Sequence, residues 1–372
     1  MDPQTQCCHN PACRARGQVG QGNIRIHSRK ERRYVCKTGD TTFAQTKGTV
    51  FYRLRTAADL VTLVLTLLCH GCPVQAIVAA MGLDERTVAQ WQARAGSHCE
   101  RVHEHLVQRG QVDLGQVQAD ELWAKVVGGK VWMALALAVP SRLWLGGVIS
   151  AQRDGVLSTA LIRMVATGAA SFGILVCVDG LASYVTACLR VFRHPVRSGH
   201  RGRPRLVLDP GFLLAQVIKQ YAQRRVKSVV HRVVQGTAAA VSAALRASGG
   251  GTVINTAYIE RLNATFRSAL APLVRRGRAI ARTEATLTAG MWLVGCAYNF
   301  CWEHESLRQA APAGAGHKWQ QRTPAMAAGL TDHRWTLREL LGYQILLPAW
   351  VAPKRRGRPP QQAPTPAKAV AA

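Results

Sequence analysis

From Thr56 to about Val107 apolar residues recur at helical spacing, with Ala57, Leu60, Val61 and Val64 marking a first face that ends near Gly71-Cys72-Pro73. PVQAIVAAMGLDERTVAQWQARAG then predicts two short helices joined at Met81-Gly82-Leu83. Gly82 suits the left-handed residue that closes the first, and Asp84 suits the cap of the second. Val88 and Trp91 would point inward, leaving Arg86, Thr87, Gln90, Gln92 and Arg94 outward. That is helix-turn-helix spacing over residues 55–110, with 84–95 as the candidate major-groove helix.

At Gln116 the period changes to that of strands: 117–126, 131–139 and 143–151 are three successive β candidates, with turns at Gly128-Gly129 and Pro140-Ser141. A helix is expected from Val156 to about Thr167, a buried strand over 173–178 ending in Asp179-Gly180, and a helix around 183–191. Consecutive strands followed by helix–strand crossovers argue for an α/β layer architecture. A stretch at about 195–250 reads as an insertion with one strand-like run, 224–234, and an Ala-rich helix, 238–247. Ile254 to Leu270 predicts an amphipathic helix. Thr256, Glu260, Asn263 and Arg267 share its polar face, and Ile259, Leu262, Phe266 and Leu270 its apolar one. Thr283–Glu303 reads as a long, mostly apolar helix whose Trp292 and Trp302 belong to the core.

Charge narrows the function. The 372 residues carry 48 Lys and Arg against 20 Asp and Glu, a formal net charge of +28. Fixed charge of that size favours a polyanion and a salt-dependent association. No run has the length of a membrane span, and MDPQTQCCHN lacks the basic and apolar parts of a signal peptide. Eleven scattered cysteines, often within apolar runs, suggest a reducing compartment. The expectation is a cytoplasmic nucleic-acid protein.

Against this basic background the acids stand out. Asp120 sits amid apolar strand positions, where a lone charge is costly to bury. Asp179 closes a strand, where side chains reach the crevice at the carboxyl ends of a parallel sheet. If the first and fourth strands are neighbours, these carboxylates lie side by side and repel unless a cation neutralises them. Glu260 would complete the cage, and oxygen ligands suit Mg²⁺ or Mn²⁺. Glu121 points to the other face of its strand and is not chosen. Asp154 and Asp209 sit in turn-like contexts.

Residues 1–50 resemble a small metal ribbon: Cys8 and Cys13 form one pair, and Cys36 follows a basic stretch. A zinc ribbon needs two ligands from each of two turns. Position 39, where a partner for Cys36 is expected, is Gly39, leaving His27 or Asp40 as replacements or a β ribbon that has lost its metal. Cys69 and Cys72 lack a partner pair and read as packing thiols. Arg267, Arg275, Arg276, Arg278 and Arg282 form a basic ridge after Glu260. GHRGRPR (199–205) and KRRGRPP (354–360, with Arg356 and Arg358) hold an extended Arg-Gly-Arg-Pro core similar to the minor-groove AT-hook. The low-complexity end of the tail, 361–372, predicts disorder.

DELW at 120–123, VDGLASY at 178–184 and YIERLNATFR at 258–267 resemble the DDE transposases of bacterial insertion sequences, closest to the insertion-sequence-one group. The order of a Cys-containing ribbon, a helix-turn-helix and a catalytic core also resembles that group, as do YNFCWEHESLR (298–308) and the helical stretch within 311–350. The resemblance implies a ribonuclease-H-like, retroviral-integrase-like core over 113–310, with Asp120, Asp179 and Glu260 as catalytic ligands of Mg²⁺ or Mn²⁺. It implies paired metals about 3.5–4 Å apart that serve cleavage at the element end and attack of the 3′-hydroxyl on target DNA. The implied partners are the element's terminal inverted repeats, target DNA and further copies of the chain in a synaptic complex, at the bacterial nucleoid. A non-catalytic DNA-binding regulator and a ribonuclease-H-like nuclease are the competing readings.

Overall fold

The computed structural model describes residues 1–352 except 110, 198, 200, 201, 224, 275–279, 312–315 and 317. The described chain forms two compact units, one of residues 1–47 with 346–352, the other Gly48–Ile345.

In the first unit, β1 (Ile24–Ser28), β2 (Arg33–Cys36) and β3 (Thr41–Ala44) make an antiparallel sheet in that order. Cys8, Cys13, Ile24, Tyr34, Cys36 and Phe43 fill its small core. So little apolar area gives a weak core, which makes a staple at the cysteines physically useful.

The second unit begins with α1 (Ala58–Cys69), α2 (Val74–Met81) and α3 (Glu85–Leu106). Gly82 is left-handed at φ 62°, and Asp84 Oδ1 accepts from the amides of Arg86 and Thr87, so the predicted turn forms. The second helix differs from its expected length: α3 runs 22 residues, not to 95 but to Leu106. Gly96 sits inside it for a packing reason. A Cβ there would lie 2.4 Å from Cα of Ala289 on α8 (Glu284–Phe300), so only glycine permits so close a crossing. The three helices thus share one core with the sheet.

That sheet is mixed and six-stranded. β4 (Gln116–Val126), β5 (Gly129–Ala138) and β6 (Trp144–Ser150) form the predicted meander. α4 (Gly155–Gly168), β7 (Leu175–Asp179) and α5 (Ala182–Val191) follow, and then a small hairpin, β8 (Arg193–Val196) with β9 (Arg205–Leu208). The region expected to be an insertion contributes two strands of the main sheet, β10 (Leu213–Ala222) and β11 (Arg225–Gln235). The observed order is β11-β10-β7-β4-β5-β6, with β4, β7 and β10 mutually parallel. α6 (Ala238–Ala247), α7 (Ala257–Ala269), α8, and the short α9 (Pro324–Ala327) and α10 (Leu337–Gly342) complete the unit. Trp292 is buried and Trp302 packs on the core, as expected. No helix among the described residues is long and apolar enough to cross a membrane.

Candidate functional site

The cleft is created by unequal strand lengths. β7 stops at Asp179, while its parallel neighbours β4 and β10 run on, leaving a notch at its carboxyl end. The register aligns Gln116 with Leu175, Gln118 with Cys177 and Ala119 with Val178, so one further step sets Asp120 beside Asp179. Strand alternation puts Gln116, Gln118 and Asp120 on the same face. Opposite that face lies α7, whose start is held by β4. The side-chain oxygen of Gln118 accepts from the amides of Tyr258 and Ile259, each at 3.0 Å, satisfying two otherwise orphaned donors of the first helical turn. Gln118 also donates to the Asn255 carbonyl at 2.8 Å. Ile259, Leu262 and Phe266 are buried as expected, and the polar face brings Glu260 and Arg267 to the cleft.

The resulting cavity, about 860 Å³, is lined by Asp120, Glu121, Asp179 and Glu260 together. Asp120, Glu121 and Asp179 each bring a carboxylate oxygen within 4.8 Å of the others; Glu260 stands outside this group but on the same cavity. Here the expectation for Glu121 needs correcting. Its side chain does leave β4 on the other face, where Arg153 donates to it at 2.5 Å. Yet β7 has ended by this point, and the longer side chain reaches the notch. Its Oε2 is buried with no donor in hydrogen-bonding geometry among the described residues, although the buried Tyr184 hydroxyl lies beside it.

Two cations partly neutralise these acids. Arg153 bridges Glu121 and, at 3.5 Å, Asp179. Lys219 of β10 donates to Glu260 at 2.6 Å, where Thr256 also donates at 3.0 Å. The fully buried Asn263 donates to Asp120 at 2.8 Å and fixes its carboxylate. Burial, followed by the charges of Glu121, Asp179 and Glu260, pushes Asp120 up to about 7. Glu121 is raised for the same reasons, burial first and then Asp179, with Arg153 opposing. Such crowding of oxygen donors could hold a metal ion. Asp154 and Asp209 take turn roles instead: the first caps α4, the second accepts from the Gly211 amide at 2.9 Å.

In the first unit, the thiols of Cys8, Cys13 and Cys36 also lie within 4.8 Å of one another and could hold a metal. Burial lifts the Cys8 thiol to about 11. Burial opposes ionisation of Cys36 too, but the amides of Gly39 and Thr38 and the Cys8 thiol bring it below its ordinary value. His27 and Asp40 are exposed and outside the cluster, so neither completes it. Gly39 is tightly confined rather than a vacant ligand position, since a Cβ there would lie 2.8 Å from Cys13 Sγ. Titration with Co²⁺ is expected to give a thiolate charge-transfer band that Cys36→Ser removes. A spectrum without that band would exclude a metal at the ribbon.

The sequence matches no protein-family model and no curated protein. The candidate DNA contacts fare unevenly. Arg86 and Gln90 are exposed on the first turns of α3, where they line a groove of about 740 Å³ facing Ala269–Pro272 and Ile280–Arg282. Thr87 is half-buried, and Arg94 is not outward: its guanidinium donates to the Tyr52 carbonyl. Arg267 lines the acidic cleft itself. Arg275, Arg276, Arg278, Arg356 and Arg358 lie outside the described residues, as do the C-terminal AT-hook-like core and residues 361–372. Sequence reasoning missed Gln118, Arg153 and Lys219. A polar residue two places before Asp120 on the same strand face was the available signal for Gln118.

Proposed function

We propose that this chain is a DDE transposase of the bacterial insertion-sequence type, which cuts at element ends and joins them to target DNA. The observation that carries the reading is the register of β4 on β7. It sets Asp120 beside Asp179 at a strand end, and α7 brings Glu260 to the same cavity. The order of three strands, helix, strand, helix, with the first and fourth strands parallel neighbours, supports a ribonuclease-H-like core. The net charge of +28 supports DNA as partner.

The donor set fits Mg²⁺ or Mn²⁺: hard carboxylate oxygens, crowded enough to repel without a cation. Asp120 and Asp179 would hold the ion, with Glu121 and Glu260 within reach of the same space. The bound ion would supply an activated oxygen nucleophile and neutralise charge on the phosphoryl group. The protein's own part is placement. Asn263 orients Asp120, Gln118 fixes the start of α7, and Arg153 and Lys219 offset the remaining negative charge. The three-cysteine ribbon supports zinc there, and assembly on two element ends calls for more than one copy of the chain.

Labelled duplexes made from the DNA flanking the gene, incubated with Mg²⁺ and a target duplex, test the proposal. Metal-dependent cleavage followed by joining is expected. Binding without cleavage would replace it with the regulator reading, and hydrolysis without joining with the nuclease reading.

A further inference from the structure

Helix α7 has a second polar face. At 100° per residue, Tyr258, Arg261 and Thr265 point away from Thr256, Glu260, Asn263 and Arg267. They line a separate pocket of about 640 Å³. Its chemistry is the reverse of the acidic cleft: among the described residues three arginines, Arg142, Arg261 and Arg308, stand against one acid, Glu305, which pairs with Arg308. The Arg261 guanidinium makes no hydrogen bond or ion pair among the described residues, and Glu260, next to it in sequence, pairs instead with Lys219. Burial and then the charges of Arg142 and Arg261 push His304 down, consistent with a positive interior.

The walls are flat as well as basic. The Arg142 guanidinium lies 3.9 Å over the Tyr258 ring, and that of Arg308 lies 4.6 Å over Trp319, which is 40% exposed. Ring faces and stacked guanidiniums are surfaces that accept a planar base, and the guanidinium edges accept phosphate oxygens. A base inside a duplex offers no free face, so the occupant these walls suit is unpaired.

We propose that this pocket binds an unpaired nucleotide of the DNA strand that runs through the acidic cleft, a few nucleotides from the phosphodiester held there. The two sites lie on opposite faces of α7, about 10–12 Å across, a gap that an unpaired strand of a few nucleotides spans. The identity of the strand rests on the transposase reading; the stacking and phosphate contacts do not.

Binding is measured in EDTA, so that no cleavage occurs, with two duplexes of equal charge: one blunt, one ending in a short single-stranded overhang carrying 2-aminopurine. The full chain is expected to quench the overhang fluorophore and to prefer the overhang. Trp319→Ala should lose the quench and weaken overhang binding about tenfold while leaving blunt binding unchanged. Arg261→Ala should weaken it similarly, and Trp319→Phe should restore it. Overhang binding at wild-type strength in both alanine variants overturns the proposal. An equal loss on both duplexes also does, because it marks a general basic surface. A chain inactive with Mg²⁺ that still shows the Trp319-dependent preference would fail as a transposase while retaining this pocket.

Discussion

Asp179→Ala is expected to abolish strand joining while leaving binding of the labelled end near that of the wild type. The carboxylate sits at the notch where β7 stops, beside Asp120 in register and within 4.8 Å of both Asp120 and Glu121. On the proposed reading, removing it takes away a negative ligand, and no other acid can move into its backbone position. A loss on the order of 10²–10³-fold or more is expected, as when one preorganised electrostatic group is deleted. Asp179 Oδ1 also accepts from the Leu181 amide at 3.0 Å, so Asp179→Asn, which retains an acceptor, is the partner variant. Both should lose joining. Wild-type joining by either would remove Asp179 from the chemistry.

In EDTA, Asp120→Asn should be more stable than the parent at pH 8. Burial and the charges of Glu121, Asp179 and Glu260 raise Asp120 to about 7 in the fold, against about 3.9 in an unfolded chain. Between those values the native state binds more protons than the unfolded one. Stability from this group is therefore full below about pH 4 and is lost as pH rises through about 7. The asparagine removes the charge at near-constant volume. The expected gain above pH 7 is on the order of 1–3 kcal/mol, shrinking toward zero near pH 4. Thermal melts at both pH values read it out at about 2–4 °C per kcal/mol. A melting temperature at pH 8 equal to or below the parent's would refute the account. Joining activity should vanish in the same variant, a stability–function trade at one residue.

Helix α7 was readable from the sequence because its apolar positions at 259, 262 and 266 repeat with the helical period and all three are buried. The three-stranded meander was readable for the same kind of reason. Strand β10 was not. LLAQVIKQYA mixes Gln216, Lys219 and Gln220 into its apolar positions, and its strand character comes from pairing with β7, which no local pattern reports. Lys219 was lost with it. Glu121 was set aside by a rule of alternation that predicts its face correctly but not its reach, because alternation does not say where a neighbouring strand ends. Helix α3 shows the converse: expected over 84–95, it continues through Gly96, whose missing side chain permits the close crossing of α3 on α8.

Arg153 and Lys219 have a consequence for how the cleft loads. Their positive groups are tethered to the same scaffold as the acids, so a cation entering the cleft would exchange with an internal rival, not with bulk salt. Such a site resembles an ion-exchange resin. It can assemble before any ion is captured, its occupancy depends on competition between incoming and built-in charge, and shortening either arm shifts the balance toward the incoming ion.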